Sequence, residues 1–358
     1  PYFSATKIKW ILENVKNTKK LLRKNEILFG TIDSWILWKL TKGKSHFTDS
    51  TNASRTMLYD IVKKEWSLDL LRLFNIPKKI LPEVKSNIYD YGTSKIFGCE
   101  LKINALVGDQ QSSLIGQACL NKGMIKSTFG TGSFILMNIG TKIQYSKNKL
   151  LTSIAYEIEK KTFYCLEGSI FSAGSAIEWL IDGIKIIDSS KETASLYRKA
   201  NKDQSLYFVP TFNGIGAPYW KPEIRAAIYG IDRNTGIAEI VKATLQSICL
   251  QTKDLINLIK KDILIKITNI KVDGGMIDNN PFMQFLSDIL NIKVIKPRYL
   301  ESTAMGAAYL SAVGSNLIKF KDIKKKWKKN KIFKPKIKIK NRNEIYKNWN
   351  NAIKKTLL

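Results

Sequence analysis

Strand, tight turn and helix succeed one another along this chain, and that alternation restricts its fold more than any other feature. Ile103 to Val107 reads as a buried strand that stops at Gly108 and Asp109, after which Leu114, Ile115 and Ala118 recur at helical spacing. Ile267 to Val272 reads the same way, as a strand followed by a Gly274-Gly275 turn and a helix carrying Phe282, Phe285, Leu286 and Ile289. Between them, Ser127 to Ile139 alternates about a Gly-rich turn, Thr162 to Leu166 forms a short strand, and a helix begins behind Ala173 and Gly174. A long pattern through Leu245, Ile248, Thr252, Leu255 and Ile259 gives a central packing helix. Strands alternating with helices imply an α/β architecture with covered sheets, whose functional residues stand at the carboxyl ends of strands.

The 358 residues suffice for two domains or one large one, and the change of texture at residues 110–125 marks a boundary. Ahead of it, Ser4 is the expected cap of a helix through Ile8, Ile11, Leu12 and Val15. Asp33 or Ser34 caps a second helix through Trp35 to Leu40, which Gly43 ends. Residues 55 to 90 read as short helices separated by Pro77 and Pro82. The chain opens on Pro1 rather than Met, and Pro1-Tyr2-Phe3 has the character of a protein interior, so an N-terminally truncated sequence is expected.

The net charge of +29 suggests nucleic acid or an anionic membrane surface, or else a lysine-rich amino-acid usage spread over every face. The last forty residues, Lys319 to Leu358, hold 16 Lys or Arg and 2 acids, but Trp327, Ile332, Phe333, Tyr346, Trp349 and Ile353 run through them. Such anchors predict a terminal segment docked on its own domain rather than a nucleic-acid arm. The apolar runs are all interrupted before the roughly 20 residues a membrane-spanning helix needs, so no membrane insertion is expected. Cys99, Cys119, Cys165 and Cys249 lie far apart, which fits buried thiols in a reducing, cytoplasmic setting better than disulfides or a zinc site. The single histidine, His46, sits in a polar segment and reads as a surface residue, leaving histidine-based catalysis without support.

Three Gly-rich turns could carry chemistry. In Thr128-Phe129-Gly130-Thr131-Gly132-Ser133 the paired glycines allow close backbone approach to a phosphate, although a plain β-hairpin uses the same residues. Val272-Asp273-Gly274-Gly275, with Asp278, Asn279 and Asn280 beyond it, suits a nucleotide lying across a strand end and a helix start, or a simple connecting turn. Ala173-Gly174 is the third and weakest. Neither Gly-x-x-x-x-Gly-Lys-Ser/Thr nor Gly-x-Gly-x-x-Gly occurs, so any nucleotide is held by another architecture. Asp109 stands where a helix N-terminus stabilises negative charge. An Asp so placed either caps the helix or orients a hydroxyl and takes its proton as a phosphoryl group arrives. Gln110 and Gln111 behind it could order polyol hydroxyls or water.

Six motifs together resemble the glycerol kinases of the FGGY carbohydrate kinase family. In order they are Tyr2-Phe3-Ser4-Ala5-Thr6-Lys7 with Trp10-Ile11-Leu12, then Gly108-Asp109-Gln110-Gln111, Thr128-Phe129-Gly130-Thr131-Gly132, Gly216-Ala217-Pro218-Tyr219-Trp220, Asp273-Gly274-Gly275 and Thr303-Ala304-Met305-Gly306-Ala307-Ala308. The resemblance implies two actin-like, ribonuclease-H-like ATPase domains with the site in the cleft between them. Here it divides the chain into an incomplete first domain, residues 1–118, and a second, residues 119–358, with the basic segment 319–358 at its end. It implies that Asp109 is the catalytic base toward glycerol, that Tyr2, Gln110 and Phe134 contact glycerol, and that Thr131, Gly174, Glu178, Gly275 and Asn279 contact ATP, with Mg²⁺ as the accompanying ion. A homodimer or homotetramer is common in such families.

The departures from the family pattern carry expectations too. The chain begins past the family's first phosphate loop and lacks the upstream Arg-Glu pair and Trp of the glycerol pocket, so the fragment's activity is expected to suffer. Glu178 stands where Gln is usual and adds negative charge near the triphosphate. Gly98-Cys99-Glu100 stands where some bacterial members carry Gly-x-Arg for a sugar bisphosphate inhibitor, and the reversed charge argues against that control. Another sugar kinase of the same family, or the inactive product of a decayed or split gene, are the alternatives.

Overall fold

The computed structural model describes residues 3–201 and 203–358. Its first part is built from short elements. Helix α1, Ser4–Asn14, buries Ala5 and Ile8 while Ile11 remains half exposed. Its N-cap is Phe3, so Ser4 is the first helical residue and its hydroxyl caps nothing, which corrects the expectation by one position. Helix α2, Ile32–Leu40, starts behind Thr31 instead of Asp33 or Ser34. The Asp33 carboxylate is drawn inward, accepting from the Thr31 hydroxyl at 2.5 Å and the Thr48 hydroxyl at 2.6 Å. Gly43, at φ +83°, does end this helix, its N–H closing on the Trp38 carbonyl.

Residues 55 to 90 depart from the helical expectation. A helix at Leu68–Phe74 and a 3₁₀ turn at Lys78–Ile80 do flank Pro77, but Tyr59–Asp60 pairs with Glu65–Trp66 and Glu83–Lys85 pairs with Phe47–Asp49. Strands of two or three residues are too short to display an alternation in sequence. The strand before Asp109 runs Leu101–Ala105 and forms a two-stranded ribbon with Ile88–Ser94. It is half exposed rather than buried, because a two-stranded ribbon has no further layer on its outer face. Helix α3, Asp109–Gly116, follows with Gly108 as its N-cap.

The second part is organised on a seven-stranded sheet. In chain order its strands are β1 Ile125–Phe129, β2 Ser133–Gly140, β3 Leu151–Ile158, β4 Lys161–Ile170, β5 Asn269–Asp273, β6 Lys293–Pro297 and β7 Lys329–Phe333. The spatial order is β7-β6-β5-β1-β2-β4-β3, with β5 parallel to β1 and β6 and every other pair antiparallel. Helices α4 Gly174–Glu178, α5 Thr193–Lys199, α6 Ile237–Asp262, α7 Asn280–Leu290, α8 Ser302–Gly314 and α9 Ile339–Leu357 surround it. Strand alternation divides the residues of this sheet between two unlike faces. Ile125, Phe129, Ile135, Met137, Leu166, Ile170, Ile270 and Val272 form one core with Val241, Leu245 and Ile248 of α6. The intervening positions place Lys126, Thr128, Glu167, Lys271 and Asp273 on the opposite face, toward α3.

Close helix packing and a buried ion pair help to join the first part to this second part. Helices α3 and α8 approach so closely that a Cβ on Gly116 would lie 1.9 Å from the Ser302 carbonyl, and one on Gly306 1.9 Å from the Ser112 carbonyl. This is the structural need for glycine in the Thr303–Ala308 motif. Arg55 forms a bidentate pair with the wholly buried Glu167 of β4 at 2.6 and 2.9 Å, and its guanidinium stacks 5.2 Å from the Phe3 ring centroid.

The basic segment 319–358 is docked, as its aromatic anchors predict. Strand β7 extends the sheet, and Trp349 is fully buried with its indole N–H 2.8 Å from Asp254 Oδ2, whose Oδ1 accepts from Tyr346 at 2.6 Å. Trp327 lies 3.7 Å from the Lys271 ammonium and donates to Gln117 Oε1. Cys119, Cys165 and Cys249 are buried free thiols, but Cys99 is exposed on the turn beside the Lys95–Glu100 ion pair. His46 is only half exposed, with Nε2 2.7 Å from the Phe29 carbonyl. Among the described residues no helix is long and apolar enough to cross a membrane.

Candidate active site

The Gly-rich turn between β1 and β2 is a three-residue hairpin, Gly130-Thr131-Gly132, with Thr131 exposed at its tip. Three main-chain bonds tie it to the start of α4: Gly174 N donates to Gly130 O at 2.9 Å, and Ala173 N and Ser175 N donate to Thr131 O at 3.0 Å. A Cβ on Gly174 would meet Gly130 O at 2.7 Å, so the glycine there lets the two turns join. At the end of β5, Gly274 has φ +92° and a Cβ on it would lie 2.3 Å from Phe129 O, whereas a Cβ on Gly275 meets nothing within 4 Å. Asn279 is the N-cap of α7, accepting from Phe282 N at 3.0 Å, and its amide donates to Thr193 of α5 at 3.0 Å.

These pieces line one cavity of about 660 Å³. Thr131, Gly174, Glu178, Gly275 and Asn279 all face it, from three separate stretches of chain, together with the apolar Phe129, Ile177, Ile181, Leu245 and Met276. The rim bears Glu178 and Asp278 against Lys191, and Asp278 is itself paired with Lys296. An apolar wall with a phosphate-approachable turn at one end fits a flat apolar group that carries phosphates. A groove of about 650 Å³ at Leu12–Lys24 is lined by one continuous segment and brings no distant residues together.

Asp109 is exposed at the first position of α3, and its Oδ1 accepts from Gln110 N at 2.6 Å. The backbone before it is pinned from below. Gly108 N donates to Thr51 Oγ1 at 2.8 Å, the Thr51 hydroxyl donates to Asp49 Oδ2, and Asn87 Nδ2 donates to the same oxygen at 2.7 Å. Burial pushes the Asp49 carboxyl up to about 7, with the neighbouring Asp33 charge adding to the effect. Phe134 is half buried on β2 opposite Thr128 of β1 and packs against the cluster of Leu114, Ile115 and Leu136. Tyr2 lies outside the described residues.

Lys126, which sequence reasoning passed over, connects the two groups of candidates. It is fully buried on β1, with Nζ 2.6 Å from Gln110 Oε1 and 2.7 Å from Thr128 Oγ1. Burial pulls this ammonium below the ordinary lysine value, and the carboxylates of Asp273, Asp109 and Glu167 oppose that shift. Thr128 precedes Phe129 in the cavity wall, so Lys126 bridges the Asp109–Gln110 turn and the hairpin at the cavity. Its only sequence signal is a charge inside the strand pattern Ile125-Lys126-Ser127.

Known proteins share the sequence pattern and the fold. Residues 1–116 match the N-terminal domain, and residues 125–315 the C-terminal domain, of the FGGY family of carbohydrate kinases. The chain is 48% identical over 359 aligned residues to the glycerol kinase of Pediococcus pentosaceus, covering 99% of this chain and 71% of that protein. It is likewise 48% identical to the glycerol kinase of Enterococcus casseliflavus, with the same coverage. The crystal structure of Plasmodium falciparum glycerol kinase with ADP superposes with a TM-score of 0.89 at 37% identity, covering 100% of this chain and 72% of that one. A xylulose kinase from Lactobacillus acidophilus superposes at 0.84 with 20% identity, which shows the fold alone.

Proposed function

Since the chain belongs to the FGGY family of carbohydrate kinases, we propose that it transfers the γ-phosphoryl group of ATP to glycerol, giving sn-glycerol 3-phosphate. The observation that carries this reading is that the five nucleotide candidates line one cavity, while Asp109 and Gln110 stand one lysine away from its hairpin. A glycerol hydroxyl lying against Asp109 gives its proton to the carboxylate as its oxygen attacks the γ-phosphorus, and ADP leaves on the far side. The Gln110 N–H holds Oδ1 in place, leaving Oδ2 without a hydrogen bond among the described residues. Phe134 supplies the apolar cover for the glycerol carbons, and Tyr2 is a further glycerol contact.

Most catalysis of phosphoryl transfer is positioning and charge neutralisation. Among the described residues no three His, Cys, Asp or Glu are grouped to hold a metal by themselves. That suits Mg²⁺, which keeps its waters and binds phosphate oxygens through one or two carboxylates. Asp273 would hold it, having a buried Oδ1 with no hydrogen-bond partner among the described residues. Bound there, the ion neutralises charge on the transferred phosphoryl oxygens. Glu178 places a negative charge on the nucleotide side, opposed by Lys191.

We assign residues 1–118 to the glycerol side and 119–358 to the nucleotide side. The three buried free thiols support a cytoplasmic setting, and a homodimer or homotetramer is the expected assembly. The natural gene product carrying this chain is assayed with ATP and a panel of glycerol, D-xylulose and gluconate. Turnover of glycerol in preference to the others is expected, and a clear preference for the pentulose would overturn the substrate assignment.

A further inference from the structure

We propose that Lys126 is a positioning residue that fixes the Gln110 amide so that its NH₂ group, not its carbonyl, faces the substrate hydroxyl beside Asp109. The inference rests on the reading that a polyol binds at Asp109 and Gln110. An ammonium group only donates hydrogen bonds, so the Gln110 atom 2.6 Å from Lys126 Nζ is the carbonyl oxygen, and the amide nitrogen is turned away from the lysine.

The lysine is itself held in one orientation. Its second acceptor, Thr128 Oγ1 at 2.7 Å, receives a proton and must send its own elsewhere. Ser113 Oγ lies 3.3 Å from that hydroxyl. The Ser113 proton is already committed to Asp273 Oδ2 at 2.7 Å, because a carboxylate only accepts. Thr128 therefore donates to Ser113. The row runs in a single direction, from the Lys126 ammonium through two hydroxyls to the Asp273 carboxylate, which Gln117 Nε2 steadies at 3.1 Å. A buried cation relayed in this way to a buried anion leaves Gln110 no flipped alternative.

The consequence is a matched pair of groups on the half-exposed first turn of α3. Asp109 offers only an acceptor and Gln110 only its donor. A hydroxyl is the group that satisfies both, giving its proton to Asp109 while a lone pair takes the Gln110 N–H. Burying an ammonium is costly, and a methionine would fill the same space without that cost. What the charge provides at this position is a defined amide.

The test is a double-mutant cycle on the natural gene product, using Lys126→Met, Gln110→Leu and the pair, with thermal melts alongside. Each single substitution is expected to raise KM for glycerol about tenfold while KM for ATP stays within about twofold, the loss of one oriented hydrogen bond. The pair is expected to be no worse than either single variant, because Lys126 acts through Gln110. An unchanged glycerol KM in Lys126→Met, an equal rise in both KM values, or additive effects would overturn the proposal. If Lys126→Met fails to fold, Gln110→Glu decides. Its carboxylate keeps the lysine contact, so it should melt no lower than the wild type yet raise glycerol KM about tenfold, and an unchanged KM overturns the proposal. A wild-type protein that prefers another polyol overturns the glycerol assignment only, and the same cycle is then read on that polyol.

Discussion

Adjacent glycines at the end of β5 should respond in opposite ways to a side chain. A Cβ on Gly275 meets no atom within 4 Å and the residue lines the cavity, so Gly275→Val adds an isopropyl group to space that a nucleotide would occupy. The fold has no reason to object, and the melting temperature should hold within about 1 °C, the effect of under about 1 kcal/mol. ATP must then give up or shift its contacts on that wall. Losing about 2 kcal/mol of binding corresponds to a rise of roughly 30-fold in KM for ATP, with KM for glycerol little changed. Gly274→Ala is the control. Its φ of +92° costs an alanine roughly 1–2 kcal/mol, and a Cβ at 2.3 Å from Phe129 O forces a backbone shift worth roughly 1–3 kcal/mol more. It should therefore lose stability by about 2–5 kcal/mol, read by urea titration. Normal ATP affinity in Gly275→Val would refute the placing of the nucleotide in this cavity.

The docked tail gives two further predictions. Trp349→Ala removes a fully buried indole and its bond to Asp254, and should cost about 3–5 kcal/mol in a denaturant titration; a loss below about 1 kcal/mol would mean the basic segment is not packed. Burial raises the Asp254 carboxyl to about 6 from the free value of 3.8, against the lowering effect of its bonds from Tyr346 and Trp349. The folded state thus favours the protonated group, and its contribution to stability is full below about pH 3.8 and lost as pH rises through 6. Asp254→Asn lacks this titration, so it should gain on the wild type by about 3 kcal/mol between pH 3.5 and pH 7.5. A difference independent of pH contradicts the assignment.

The second half of the chain was largely legible because its strands are long enough to alternate and its turns carry glycine. The hairpin at Gly130-Thr131-Gly132, the long helix through Leu245 to Ile259 and the passage from β5 to α7 all fall where the pattern puts them. The first half was less so. Pairs such as Tyr59–Asp60 with Glu65–Trp66 are set by contacts across a turn and have no period of their own. Asp33 has a cap's chemistry but was captured by Thr31 and Thr48. Close approach of Gly116 to Ser302 and of Gly306 to Ser112 joins residues far apart in sequence, so no local spacing announces it. The nucleotide candidates came from a resemblance in ordered motifs, and the cavity brings all five together. Lys126 escaped because its partners Gln110, Thr128 and, through Ser113, Asp273 converge only when the sheet is assembled.

The central claim is that Asp109 takes the proton of the attacking glycerol hydroxyl. Asp109→Asn keeps the size of the side chain, the helix start and an oxygen for the Gln110 N–H, and removes only the basic carboxylate. Glycerol phosphorylation by the natural gene product should fall by about 10²–10⁴-fold while ATP affinity and the melting temperature stay near those of the wild type. Near-normal turnover in Asp109→Asn would contradict the account.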